Sequence, residues 1–203
     1  MRKLWGRLTS VNVQKAVWAL DEAGLPFERV EAGGTHGIVR DAAYLAMNPN
    51  GLVPTLEEDG FALWESNAIL RYVASIAPAL APPTDARERA LVEQWLDWQT
   101  TSFTPAMRDA FWQLFRSQNP DGSVIAASMA KGEEHAEILD AHLSDRAFVV
   151  GERFGIADIA LGCAAHRWLN LPAERIERPA IRRWYDRLST RAGARRALAE
   201  PIA

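Results

Sequence analysis

Three small polar residues, Thr9, Ser10 and Asn12, crowd the stretch LTSVN between a strand-like KLWG and a helical pattern. A helix N-terminus carries free N–H groups and a partial positive charge. Hydroxyl and amide groups gathered there either cap the helix or hold an anion. Similar chemistry is set up at Glu65-Ser66, where a second helical stretch opens. A serine there can bond a carboxylate at the helix N-terminus while the glutamate accepts from an ammonium. A third group, Val53-Pro54, follows the turn cluster NPNG and opens a strand. On the residues alone each of these has a plain structural reading: two helix caps and a strand-starting proline.

Elements must bring these stretches together. Val13, Ala16, Val17 and Leu20 fall at i, i+3, i+4 and i+7 and predict a helix, closed by Gly24 and Pro26. PFERVE alternates as a strand, RDAAYLAM reads as a short helix, and VPTLEEDGFALWE reads as two strands around a turn at Asp59-Gly60. SNAILRYVASIA reads as a helix with Ser66 as its N-cap. The order β-α-β-α-β-β-α over roughly 78 residues predicts a small mixed sheet covered by helices, an α/β domain of the thioredoxin-like kind. Pro78, Pro82 and Pro83 then mark a linker, and everything beyond reads as helical. The expected organisation is a domain over residues 1–78, a Pro-rich linker over 79–85, and an all-α domain over 86–203. Pro105 predicts a kink or break near Ser102. IADIALGCAAHRWL is apolar nearly all round and predicts a buried central helix, and Pro179 starts the last long one.

The stretches SVNVQKAVWALDEAGLPFE, NPNGLVPTL, LWESNAILRYVA and GIADIALGCAAHRWL, in this order and spacing, resemble the cytosolic glutathione transferase family over almost the whole chain. The likeness is greatest to bacterial serine-type members similar to the theta, delta and nu classes. The resemblance implies a thiol-activating enzyme with glutathione as co-substrate and no metal, and a homodimer in the cytoplasm. It implies that Pro54 is cis, so that Val53 pairs with the cysteinyl backbone of glutathione, and that Glu65 and Ser66 take its γ-glutamyl ammonium and carboxylate. Ser10 becomes the principal donor to the glutathione sulfur, Asn12 the second, and Thr9 a bystander. Leu52 stands where the family often has Lys, His or Gln for the glycyl carboxylate, which leaves that end to His36, Arg40 or water. Asp97 could reach the γ-glutamyl ammonium across a dimer. Phe103, Met107, Arg108, Phe111, Trp112 and Phe115 could form an apolar electrophile pocket with one cation, or pack as core. Two other functions stay open on the same residues: a glutathione-dependent disulfide reductase or peroxidase, and a non-catalytic binding protein that keeps the fold.

Composition narrows the rest. The 203 residues are 48% hydrophobic with a formal net charge of -3, so a packed core is expected and a general nucleic-acid or membrane-surface binder is not. The apolar residues near the N-terminus are interrupted at Arg7, Asn12, Gln14 and Lys15, which is not a signal-peptide pattern, and no run suits a membrane span. The single cysteine, Cys163, sits in the apolar helix and reads as inert, although His166 lies at i+3. His135 and His142 are seven apart without further ligands, which does not make a metal site. Asp158 reads as structural, and Arg182, Arg183, Arg187, Arg191, Arg195 and Arg196 read as the solvated face of one last helix.

Overall fold

The computed structural model describes residues 1–202 and divides into two compact units: Met1–Pro82 with Arg191–Pro201, and Pro83–Thr190 with the C-terminal Ile202. In the first unit, strands β1 (Lys3–Trp5), β2 (Glu28–Val30), β3 (Thr55–Glu58) and β4 (Phe61–Trp64) alternate with helices α1 (Val11–Glu22), α2 (Ala42–Met47) and α3 (Ser66–Ile76) in the expected β-α-β-α-β-β-α order. The sheet order is β2-β1-β3-β4. β1 runs parallel to β2 with Leu4 opposite Arg29, and antiparallel to β3 with Leu4 opposite Leu56. The β3–β4 turn is where Asp59-Gly60 predicts it, and both residues take positive φ (48° and 84°), as a tight two-residue hairpin requires.

The core of this unit gathers Leu4 and Leu56 from the central strands, Val13, Ala16, Val17 and Leu20 from α1, and Ile69, Leu70 and Val73 from α3, all buried. α1 is buried on more faces than its four-residue stripe predicts, because two helices pack on it: α3, and a short helix from the far end of the chain, Ala192–Ala197 (α10 in chain order). Residues 86–203 read from the sequence as one helical domain, yet Arg191–Pro201 lies in the first unit. Small residues explain the approach. A Cβ on Gly193 would stand 2.8 Å from Trp18 Cδ1 and 3.1 Å from the Trp18 carbonyl oxygen. Arg191 Nε donates to Glu22 at 2.9 Å and Arg196 Nη1 to Asp21 at 2.7 Å. These arginines therefore pair with α1 and are not the solvated face of a single final helix.

The second unit holds α4 (Ala86–Trp98), α5 (Thr104–Ala106), α6 (Arg108–Phe115), α7 (Gly122–His142), α8 (Ile156–Asn170) and α9 (Pro179–Ser189). Asp85 and Asp121 cap α4 and α7, each carboxylate accepting two backbone N–H groups of the following turn. The disturbance expected near Ser102 is a π-helical turn over Gln99–Phe103. Pro105 cannot donate to the carbonyl four residues back, and the wider turn takes up that missing bond.

α8 is the buried centre: Ile156 to Ala165 and Trp168 are all buried. Asp158, 1% exposed, accepts from Gly155 N at 3.0 Å, Val149 N at 2.9 Å and Trp184 Nε1 at 3.0 Å. It holds the start of α8, the preceding loop and α9 in one place, which is a structural task. The rings of His135 and His142 on α7 lie against Trp98 and Trp95, and His142 Nε2 sits 2.7 Å from the Val149 carbonyl oxygen. They serve packing. No helix among the described residues is long and apolar enough to cross a membrane.

Candidate functional site

Residues from three separate stretches of the first unit meet where α1, α3 and the β3 entry converge. Asn12, Val53, Pro54, Glu65 and Ser66 line one cavity of about 60 Å³, together with Asn48, Asn50, Leu52 and Trp64. Asn12 projects from the first turn of α1 and is exposed, while Ser66 is buried at the start of α3. The Ser66 hydroxyl donates to Asn12 Oδ1 at 3.2 Å. Behind them lies Lys15, only 1% exposed, whose Nζ donates to Ser66 Oγ and to Asn67 Oδ1, each at 3.1 Å. Charged residues are rarely enclosed unless paired, so this lysine marks a site built around polar bonds. Sequence reading passes over Lys15, because one charge inside an otherwise apolar stripe reads as a helix edge.

The Val53-Pro54 peptide bond is cis, as the resemblance implies. The backbone leading into it is held from α2. Tyr44 Oη donates to the Leu52 carbonyl at 2.6 Å and lies 2.8 Å from Thr55 Oγ1. Asn48 Nδ2 donates to the same two oxygens at 2.9 and 3.0 Å. Burial raises the pKa of the Tyr44 hydroxyl, which keeps it a donor. Neither Tyr44 nor Asn48 is found by sequence reading. A tyrosine in a helix and an asparagine in the NPNG turn each have ordinary roles, and nothing in their spacing ties them to Pro54. Among the described residues, the Val53 N–H and carbonyl take no backbone partner, so they remain available to an extended ligand strand.

Ser66 is the first helical residue and not the N-cap; Glu65 holds that position with φ 69°. The chain turns sharply between β4 and α3, and Glu65 takes up the turn in a left-handed conformation uncommon for a residue with a side chain. This exposes the Glu65 carboxylate and leaves the Ser66 hydroxyl free of capping. Ser10 is the N-cap of α1, half-buried, and its side chain makes no capping bond. It does not line the cavity that Asn12 and Ser66 share.

The remaining sequence candidates are dispersed. His36 lies in a short 3-10 turn over Gly34–His36, exposed, with Nε2 3.6 Å from Glu31. Arg40 lies over Gly51, where a Cβ would meet its guanidinium at 2.8 Å. Leu52 is 63% exposed. Asp97 is exposed on α4 in the second unit.

Phe103 and Met107 have no exposed surface, and Phe103 stacks on Trp98 with ring centroids 5.5 Å apart. These two are core residues of the helical unit. Phe111 and Phe115 face one another at 5.1 Å, Trp112 is 60% exposed, and Arg108 is exposed, all on α6. The Arg167 guanidinium lies 4.1 Å from the Phe111 ring centroid, a cation that sequence reading does not single out.

The chain matches the family described as Glutathione S-transferase, N-terminal domain over residues 2–75, and Glutathione S-transferase, C-terminal domain over residues 122–187. It is similar to "Glutathione S-transferase GstB" of Escherichia coli (strain K12), at 38% identity covering 100% of both chains. The crystal structure of the theta class glutathione S-transferase from Xanthomonas axonopodis pv. citri, solved with glutathione bound, matches with a TM-score of 0.94. That match is 40% identical and covers 100% of this chain and 99% of that one. Glutathione transferase F7 from Populus trichocarpa matches with a TM-score of 0.89 at 27% identity, covering 100% of each chain. By its two domains and by likeness over its full length, the chain belongs to the glutathione S-transferase family.

Proposed function

We propose that this protein binds glutathione in its first unit, holds the cysteinyl sulfur as a thiolate, and adds it to an apolar electrophile. The observation that carries the reading is one cavity joining the Asn12–Ser66 pair, the backbone at Val53-Pro54 and the Glu65 carboxylate. Glutathione offers a matching set: an extended peptide backbone for Val53, an α-carboxylate for the backbone N–H groups at the α3 N-terminus around Ser66, and an α-ammonium for Glu65. Ser10, with its hydroxyl free of capping, and Asn12, with its amide, are the donors to sulfur.

The chemistry sets the energy required. A free thiol has a pKa of about 8.5, so little thiolate exists at neutral pH. Lowering it by about two units takes roughly 2.7 kcal/mol of preference for the anion, within reach of two donors and a helix N-terminus. The proton leaves to solvent. The sulfur lone pair then forms the C–S bond, while a leaving group or a conjugated π bond takes the displaced electron pair. The aromatics of α6, exposed Trp112 with half-buried Phe111 and Phe115, are our candidates to seat the electrophile. The reading includes a homodimer in the cytoplasm on family grounds.

Glutathione titrated into the protein while the ultraviolet absorbance of the thiolate is followed tests this directly. The bound thiol is expected to ionise about two units below its solution value, and Ser10→Ala to return a large part of that shift. A wild-type complex whose thiol keeps its solution pKa defeats the reading. Assays with aryl halides and with disulfides then separate transfer from reduction.

A further inference from the structure

The buried lysine has a directional consequence. An ammonium has three N–H donors and no acceptor, so every bond Lys15 makes points outward from it. One of these ends on Ser66 Oγ at 3.1 Å. That hydroxyl has a single proton, and it goes to Asn12 Oδ1 at 3.2 Å. A primary amide carries its acceptor on one side and its donors on the other. Once the Asn12 carbonyl is committed to Ser66, its NH₂ group is the edge left to meet a ligand in the cavity that both residues line. The order matters, because a thiolate is attracted by an N–H and repelled by a carbonyl oxygen.

Lys15 sits one turn along α1 from Asn12 and is locked at 1% exposure with a second bond to Asn67 Oδ1 at 3.1 Å, so it has little freedom to release the arrangement. We propose that Lys15 is a positioning residue for thiolate formation. It fixes the proton order Lys15→Ser66→Asn12 and so makes Asn12 present its amide donors, and not its carbonyl, to the sulfur. This rests on the glutathione reading above, and it adds a residue that touches neither the sulfur nor the electrophile. Without the lysine, the Ser66 proton has a choice of direction and the Asn12 amide can turn over.

The test uses the full chain and glutathione at saturation, with the bound thiol pKa read from thiolate absorbance in wild type, Lys15→Met, Asn12→Ala and the double variant. Lys15→Met is expected to raise the bound thiol pKa by about one unit, a tenfold loss of thiolate at fixed pH below it. Asn12→Ala is expected to raise it similarly, and the double variant no further than either alone. Loss of the lysine's charge by itself would add to the Asn12 effect, so additive shifts overturn the proposal. A Lys15→Met thiol pKa equal to wild type overturns it as well.

If Lys15→Met does not fold, by circular dichroism and melting, Ser66→Ala cuts the same chain between its ends. A bound thiol pKa matching that of Asn12→Ala then supports the proposal, and a wild-type value overturns it. A wild-type complex whose thiol is already at its solution pKa is a separate outcome, which removes the functional reading and the proposal together.

Discussion

His166 on α8 shows how one side chain ties stability to pH. Its Nδ1 lies 2.6 Å from the Tyr185 hydroxyl and 3.3 Å from Asn170 Nδ2, and its Nε2 is enclosed without a hydrogen-bond partner among the described residues. An Nδ1 that accepts two bonds cannot take a proton without losing them. Burial, then the neighbouring Arg167 guanidinium, hold the imidazole pKa below its ordinary 6.5. Burial also pushes Tyr185 up to about 12, so its hydroxyl keeps the proton it gives. The folded chain therefore binds fewer protons here than the unfolded one. The stability this provides is fully present above pH 6.5 and is lost as pH falls through the depressed folded value. Denaturant unfolding between pH 8 and pH 5 is expected to show the helical unit weakening below about 6.5. The part due to this side chain is expected to vanish in His166→Asn; an unchanged slope in that variant shows that other groups set it.

Among the elements, local periodicity made most of the fold legible. The β-α-β-α-β-β-α order follows from alternation, from Gly24 and Pro26 ending α1, and from Asp59-Gly60 closing the hairpin. The candidate site was legible in the pieces whose chemistry is local: Asn12, Val53-Pro54 and Glu65-Ser66 do share one cavity. What was not legible depends on partners distant in sequence. Lys15 reads as a surface charge until α3 covers it, and Tyr44 reads as helix filler until Leu52 and Thr55 come beside it. The short α10 is hidden for the same reason, since an arginine-rich GARRALAE has no apolar stripe of its own and docks by smallness. Gly193 leaves no room: a Cβ there falls 2.8 Å from Trp18. Gly193→Val is expected to destabilise the first unit by about 1–3 kcal/mol through overpacking, checked by denaturant melts that follow tryptophan fluorescence. A melt unchanged from wild type shows that α10 docks without that fit.

At the scale of the whole molecule, the net charge of -3 hides an uneven use of arginine. Arg183 donates to the Leu143 and Ser144 carbonyls at the end of α7, Arg187 to Ala147, and Arg191 and Arg196 to the two acids at the end of α1. These are ties between elements far apart in sequence, and the last two fasten the C-terminal segment onto the first unit. Deleting residues 191–203 is expected to lower the melting temperature of the first unit by roughly 4 °C or more, since about 2–4 °C accompanies each kcal/mol lost in a chain of this size. It is expected to weaken glutathione binding in step, because α10 backs the helix that carries Asn12 and Lys15. Calorimetry with and without glutathione checks both; a truncated chain that melts and binds like wild type shows the segment to be dispensable.

That fastening also bears on the order in which the protein is made. The chain is made from its N-terminal side onward, so the unit that β1 founds lacks α10 until every helix of the second unit has been joined. The first unit is thus started before the helical unit and finished after it. A cut between Pro82 and Pro83 would release it without its closing helix.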